Sequence, residues 1–505
     1  MLDTLDRSDD PDQAEAEHVD VLVVGAGISG IDAAYHLQKR LPGKSWLILE
    51  ARSAIGGTWD LFRYPGVRSD SDMYTLGFPF RPWDEDRSIV DGASIRDYVE
   101  ATAREYGIDR RIRFGHRVTR ASWSSLAARW DVAVEAEGET RRFTCRFLFL
   151  CSGYYDYAQG YRPEWRDEEQ FAGRIVHPQF WPDDLAYAGK RVVVIGSGAT
   201  AVTLVPALAG QAAHVTMLQR SPSYIVSRPS RDSVARWLQR RLPRRLADPA
   251  VRWKNVLLGM FFFNRARSRP RKVREAILKL AAQSLPPGYD VERHFSPSYD
   301  PWDQRLCLVP DGDLFEAIKA GKVSIVTDSI ERFAREGLRL ASGRELPADI
   351  VVTATGLVVK LLGGIELIVD GERVEVADRV NYKGMMLSDV PNLAVVFGYT
   401  NASWTLKCDL TSRYVCRLLN HMDRRGYAVC VPRLPAGPIE RLPMLDFSSG
   451  YVKRAAGSLP SQGSKPPWRV HQNYVRDLAA LRFGAVADGA MEFRPDSPGR
   501  SRSAG

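Results

Sequence analysis

Along the chain, apolar positions twice change from strand-like to helix-like spacing across a glycine-rich turn, the second time about 170 residues after the first. "HVDVLVVGAGISGIDAAYHLQKR" begins with a mostly apolar run at residues 19–24, of buried-strand type, and passes through Gly25, Gly27 and Gly30 into a helical pattern. A second apolar run, "SWLILE", ends in Glu50. In the later copy, "KRVVVIGSGATAVTLVPALAG", a strand leads through Gly196, Gly198 and Ala201 into a helix, and the next strand, "HVTMLQRS", ends in Arg220 and Ser221. Two more apolar strands, "FLFLCSGYY" and "ADIVVTATGLV", read as crossings between the two units. The pattern predicts an α/β fold with two Rossmann-like dinucleotide-binding domains, the first discontinuous and the second inserted into it.

The spacing predicts the chemistry of both turns. Gly25 allows the tight turn, Gly27 lets backbone approach a pyrophosphate, and Gly30 lets helix and strand pack closely. The helix N-terminus offers N–H donors to the phosphates, with Ser29 in the first turn and Ser197, Ala199 and Thr200 in the second. Glu50 suits ribose hydroxyls. Arg220 and Ser221 stand at the matching place of the second copy, where a carboxylate would repel a 2′-phosphate and a guanidinium pairs with one. The first site therefore suits FAD and the second NADPH, and two such sites in series imply electron transfer from NADPH to a bound flavin. Residues 18–155 read as the first part of the FAD domain and 156–190 as a linker. Residues 191–344 read as the NADPH domain, with a helical insertion at about 228–300. Residues 345–493 return to the FAD domain and a C-terminal substrate-side segment, and 1–17 and 494–505 read as disordered tails.

A length of 505 residues fits two or three domains. The acidic N-terminus has no apolar run, so it is neither a secretory signal nor a transit peptide, and no stretch of about 18 apolar residues predicts a membrane span. Six scattered cysteines without CxxC spacing argue for a reducing, cytoplasmic setting and against a metal site or dithiol centre. The net charge of +9 is concentrated: residues 228–274 hold 15 Lys/Arg against Asp232 and Asp248, a surplus of 13. With "VLLGMFFF" inside it, this segment is either a solvated basic face or a peripheral seat on an anionic membrane. No nucleic-acid module accompanies it, so nucleic acid is not an expected partner.

Between the two units lies "FAGRIVHPQFWP", with Phe171, Gly173, His177, Trp181 and Pro182 in the order FxGxxxHxxxWP. Flanked by two GxGxxG/A turns, it resembles the fingerprint of the type I Baeyer–Villiger monooxygenases, a branch of the class B flavoprotein monooxygenases. "YDPWDQRLCLVPDGDLFEAI", "GYTNASWTLKCDLTSRYVCRLLNHMD" and "DFSSGYVKRA" resemble the subgroup of the ethionamide-activating monooxygenase, and the similarity runs from about residue 18 to about residue 493.

The resemblance implies that Phe171, Gly173, His177 and Trp181 form a hinge between domains rather than catalytic groups. It places Gly57, Thr58, Trp59, Asp60, Leu61 and Asp70, within "GGTWDLFRYPGVRSD", and the backbone of Val118 on FAD, and Arg68 and Ser69 on the nicotinamide side. It makes Arg305, in "DQRLC", the active-site arginine, with Asp70 its ion-pair partner. Gln304 departs from the family, whose better-known members carry Lys there, so Arg220 carries more of the coenzyme selection. Trp404 either lines the substrate pocket or packs the core. The implied activity consumes NADPH and O₂ and, through a flavin C4a-(hydro)peroxide, converts ketones to esters or lactones and oxygenates sulfides and thioamides. Its partners would be a small ketone or organosulfur substrate and O₂. The rivals are another flavin-dependent N- or S-oxygenase and a non-enzymatic flavin-binding protein of the membrane surface.

Overall fold

The computed structural model describes residues 16–445 and 447–495. The expected tails at 1–15 and 496–505 lie outside the described residues, but both tail boundaries move. The first strand begins at Glu17, and Arg494 and Pro495 belong to the strand Met491–Pro495, which pairs with Tyr427–Pro432.

Glu17–Val24 is the hub of the first sheet. It runs parallel to Trp46–Leu49 on one side and to Glu139–Leu150 on the other. Beyond Glu139–Leu150 the antiparallel strands Arg129–Ala136 and Arg117–Ser124 extend the sheet, and Leu393–Val395 joins it from the distant C-terminal part. Helix α1 (Ile28–Arg40) covers one face, burying Ile31, Ala33, Ala34 and Leu37 against the sheet.

The second sheet is wholly parallel, in the order Val323–Thr327, His214–Gln219, Arg191–Ile195, Ile350–Thr353, Arg174–Val176. Arg191–Ile195, Val323–Thr327 and Ile350–Thr353 are dominated by Val and Ile, as burial on both faces requires. Helix α2 (Ala199–Leu208) packs on it. Two boundaries shift here. Ile350–Thr353 lies past the expected boundary at 344, and Arg174–Val176 lies inside the expected linker, yet both are strands of the second sheet. Backbone pairing with Arg191–Ile195 and then with Ile350–Thr353 satisfies polar groups that a free linker would leave to solvent.

The domains are joined by an antiparallel ribbon, Tyr155–Gly160 with Leu357–Val359. Each ribbon strand follows one of the two crossings read from the sequence. The basic insertion forms helices α3 (Ser233–Arg241), α4 (Arg244–Ser268) and α5 (Pro270–Gln283). A long helix, α6 (Trp404–Arg425), returns beneath the first sheet against α1. No helix among the described residues is long and apolar enough to cross a membrane.

Candidate active site

The first glycine turn is built by close approach. Gly25 has a φ of +104°, and a side chain there would meet the Cys151 carbonyl at 2.7 Å. A Cβ at Gly30 would strike the Gly25 carbonyl at 1.9 Å, so this glycine packs the turn and does not line the site. Gly27 and Gly198 differ. A Cβ at Gly27 would find nothing nearer than Gly57 at 3.6 Å, and one at Gly198 nothing within 4 Å. These open faces leave the room that a pyrophosphate needs, and the residues present fit two dinucleotides.

Glu50 closes the first turn. Its Oε2 accepts from the Ala26 N–H at 2.6 Å and its Oε1 from the Arg52 N–H at 2.8 Å, leaving each oxygen a lone pair for a ribose hydroxyl. Burial pushes its carboxyl above the usual carboxylate range.

From here a cleft of about 510 Å³ passes between the domains. It brings together Gly25, Gly27, Ser29, Glu50 and Val118, then Gly57, Thr58 and Trp59, then Arg68, Ser69, Asp70 and Arg305, and finally Ala199 and Thr200 at the start of α2. Asp60 and Leu61 do not line it. The Asp60 carboxylate is buried and held by Arg52 and Arg63. Gly196 and Ala201 shape the second turn from behind. Ser197 donates to the Ser221 carbonyl at 2.9 Å, fastening that turn to the end of the next strand. Arg220 and Ser221 are exposed there, and Arg220 makes no ion pair among the described residues.

At the junction, Arg305 and Asp70 form a two-pronged pair: Nε to Oδ2 at 2.6 Å and an N–H of Nη2 to Oδ1 at 2.7 Å. The Asp70 charge drives the guanidinium above its already high range, and burial only partly opposes this. Arg305 stays charged. Arg68 pairs instead with Asp313 of the second domain, at 2.5 Å.

The fingerprint residues lie outside the cleft. Phe171 packs on Phe333 in the core of the second domain, and Trp181 against Tyr187. The His177 ring abuts the end of the ribbon so closely that a Cβ at Gly160 would meet it at 2.0 Å. Gln179 donates to the Asp156 carbonyl of the same ribbon at 2.8 Å.

The sequence reading missed Tyr154 and Tyr155, which line the cleft beside Arg305 with their hydroxyls 2.7 Å apart. Tyr154 also stacks on Trp404, with ring centroids 5.3 Å apart. The aromatic run "GYYDY" was the available signal. Trp404 both lines the cleft and packs: its Nε1 donates to Ser29 Oγ at 2.8 Å, tying α6 to the first turn. Deeper in, Asp32, His36 and Asp409 cluster with metal-like spacing. Arg413 contacts Asp409 at 2.9 Å, Arg40 contacts His36 at 3.3 Å, and His36 Nε2 meets Asp409 Oδ1 at 2.8 Å, so this cluster ties α1 to α6.

Two dinucleotide folds sharing one cleft, with a fixed cation at their junction and all six cysteines free and buried, define a protein built to bring two dinucleotides together without a disulfide. A family model described as flavin-binding monooxygenase-like matches residues 18–242. The FAD-containing monooxygenase EthA of Mycobacterium tuberculosis is 57% identical over 478 residues, covering 94% of this chain and 98% of the relative. The probable FAD-binding monooxygenase AlmA of Acinetobacter baylyi is 46% identical over 480 residues, covering 94% and 96%. The chain belongs to this family of FAD-containing monooxygenases. Its fold is that of Baeyer–Villiger monooxygenases. Steroid monooxygenase bound to NADP superposes with a TM-score of 0.72 at 22% identity, over 95% of this chain and 100% of the other. Cyclohexanone monooxygenase from Rhodococcus sp. Phi1 bound to NADP⁺ also gives 0.72, at 19% identity and the same coverage.

Proposed function

We propose that this enzyme uses NADPH and O₂ to insert oxygen into ketones, giving esters or lactones, and to oxygenate sulfides and thioamides. The observation that carries this reading is the Asp70–Arg305 pair, set where the two nucleotide turns open into one cleft. Bound FAD would supply hydride acceptance and O₂ activation. The chain supplies position and charge. Gly25, Gly27, Ser29, Glu50, Gly57, Thr58, Trp59 and Val118 would hold the flavin nucleotide, and Gly196, Ser197, Gly198, Ala199, Thr200, Arg220 and Ser221 the NADPH, with Arg68 and Ser69 beside the nicotinamide. Arg305 has five N–H donors, of which Asp70 engages two, so the rest remain to stabilise an oxyanion at the substrate carbonyl. Tyr154 and Trp404 form an aromatic wall that keeps water from the reacting atoms. The protein would work in the cytoplasm, with residues 228–274 meeting an anionic membrane from that side.

A panel of ketones, thioethers and amines, assayed by NADPH consumption and by product mass raised by one oxygen, tests the reading. Esters and sulfoxides are the expected products. Amine N-oxides with no product from any ketone would overturn it in favour of a flavin N-oxygenase.

A further inference from the structure

Helix α4 has two apolar faces, and the described residues cover one of them. On the inner face Val256 and Met260 pack on Tyr399, Ala402 and Leu406, and Tyr399 and Ala402 also line the cleft. On the outer face Leu257, Leu258, Phe261 and Phe262 are exposed, Phe261 by 61% and Phe262 by 57%. Their i, i+1, i+4, i+5 spacing gathers them on one side of the helix. Trp237, Leu242, Leu246 and Trp253 continue the exposed apolar surface across α3 and the N-terminal half of α4. Around them Arg240, Arg241, Arg245, Arg269, Arg271 and Lys272 are exposed and make no ion pair among the described residues. At the C-terminal end of α4 a small pocket of about 140 Å³, lined by Phe263, Trp302, Thr400 and Asn401, adjoins the loop that walls the cleft.

Resting on the monooxygenase reading above, we propose that this face seats the enzyme on an anionic bilayer, and that its substrates are lipophilic ketones or organosulfur compounds dissolved there. Aromatic and leucine side chains enter the headgroup boundary while guanidinium groups meet lipid phosphates, a division of labour that neither alternative surface offers. A second copy of the chain would bring a surplus of 13 like charges against the same surplus. A nucleic acid would satisfy the arginines but leave the Leu and Phe side chains wet. The helix that would sit on the bilayer packs through Val256 and Met260 on Tyr399 and Ala402 of the cleft wall, which places the cleft beside the membrane and favours a substrate dissolved there.

The test uses FAD-loaded full-length enzyme and vesicles of phosphatidylcholine with or without phosphatidylglycerol, at about 20 mM and about 500 mM salt. Sedimentation with the anionic vesicles is expected, and loss of it at high salt. A Leu257→Ser, Leu258→Ser, Phe261→Ser, Phe262→Ser variant should partition at least about a hundredfold less. Arg240→Gln with Arg241→Gln and Arg245→Gln should lose the preference for anionic vesicles. Both variants should keep wild-type turnover of a short water-soluble ketone but lose vesicle-stimulated turnover of a long-chain methyl ketone. No wild-type binding at low salt, or equal binding by the Ser variant, would overturn the seat. So would a wild-type dimer that the Ser variant turns into a monomer without either touching lipid. If the seat holds but neither ketone is oxygenated, the monooxygenase reading fails and takes the substrate assignment with it. If the short ketone is oxygenated and vesicles leave the long one unaffected, only the substrate assignment falls.

Discussion

Arg305 concentrates the reaction's electrostatics in one side chain. Replacing it with Ala removes a permanent cation from the junction and should slow oxygenation about a hundredfold or more. Hydride transfer depends mainly on how NADPH docks and should suffer much less. The variant is therefore expected to bleach its flavin with NADPH, reoxidise in air and release hydrogen peroxide without ester or sulfoxide. Wild-type product yield would remove Arg305 from this role. Arg220 allows a separate test, because it is exposed at the end of its strand and makes no ion pair among the described residues. A charge-assisted contact to a 2′-phosphate contributes roughly 1.5–3 kcal/mol. Arg220→Ala should raise KM for NADPH about tenfold to a hundredfold and leave KM for NADH nearly unchanged. Glu50 acts on the flavin side. Glu50→Ala removes the acceptor of two backbone N–H groups as well as the ribose partner, so protein purified without added FAD should be paler by absorbance.

Among the elements, the short strand Arg174–Val176 explains why the fingerprint has its glycine. A Cβ at Gly173 would meet the Asp349 carbonyl at 2.4 Å and the Phe171 ring at 2.4 Å. Gly173→Ala should therefore push the strand from the sheet edge and cost roughly 1–3 kcal/mol, seen as a lower denaturation midpoint. Asp349 also holds the neighbouring strand: its Oδ2 accepts from the Arg191 N–H at 2.7 Å and its Oδ1 from the guanidinium at 2.8 Å. These bonds lower its carboxyl to about 2. Because the folded value lies below the unfolded one near 3.9, the stabilisation is complete above pH 4 and disappears as pH falls toward 2. Wild type should then exceed Asp349→Asn in urea midpoint at pH 6 and converge with it near pH 2. The group is partly exposed, so the difference should be no more than about 1 kcal/mol.

Across the whole molecule, the Asp70–Arg305 pair and further contacts besides the ribbon hold the domains over the cleft. Gly66 lies so close to α2 that a Cβ would meet Ala207 at 2.7 Å, and Arg68 reaches Asp313. The Arg68–Asp313 pair is mostly buried and joins a loop of the first domain to the second. Arg68→Ala and Asp313→Ala should each raise KM for NADPH, and the double variant should do so by less than the two effects combined. The coupling should be on the order of 1 kcal/mol. Strict additivity would mean that the pair does not set the domain geometry.

What the sequence determined by itself follows from local rules. The two glycine turns, the strand before each and the residue type after the next strand depend on neighbours within about 25 positions, so Glu50 and Arg220 could be singled out as candidates from the sequence alone. The charge of residues 228–274 was equally plain. Tertiary structure decided the rest, because contacts between distant segments leave no local period. The expected linker proved to be partly an edge strand once Ile350–Thr353, far along the chain, offered it backbone partners. That Arg52 and Arg63 hold the Asp60 carboxylate was likewise decided by the fold. Tyr154 entered the site because α6 returns from residue 404 to stack Trp404 on it. Likewise the +13 segment could be counted in the sequence, but only the fold showed that Phe261 and Phe262 face outward while Val256 and Met260 brace the wall of the cleft.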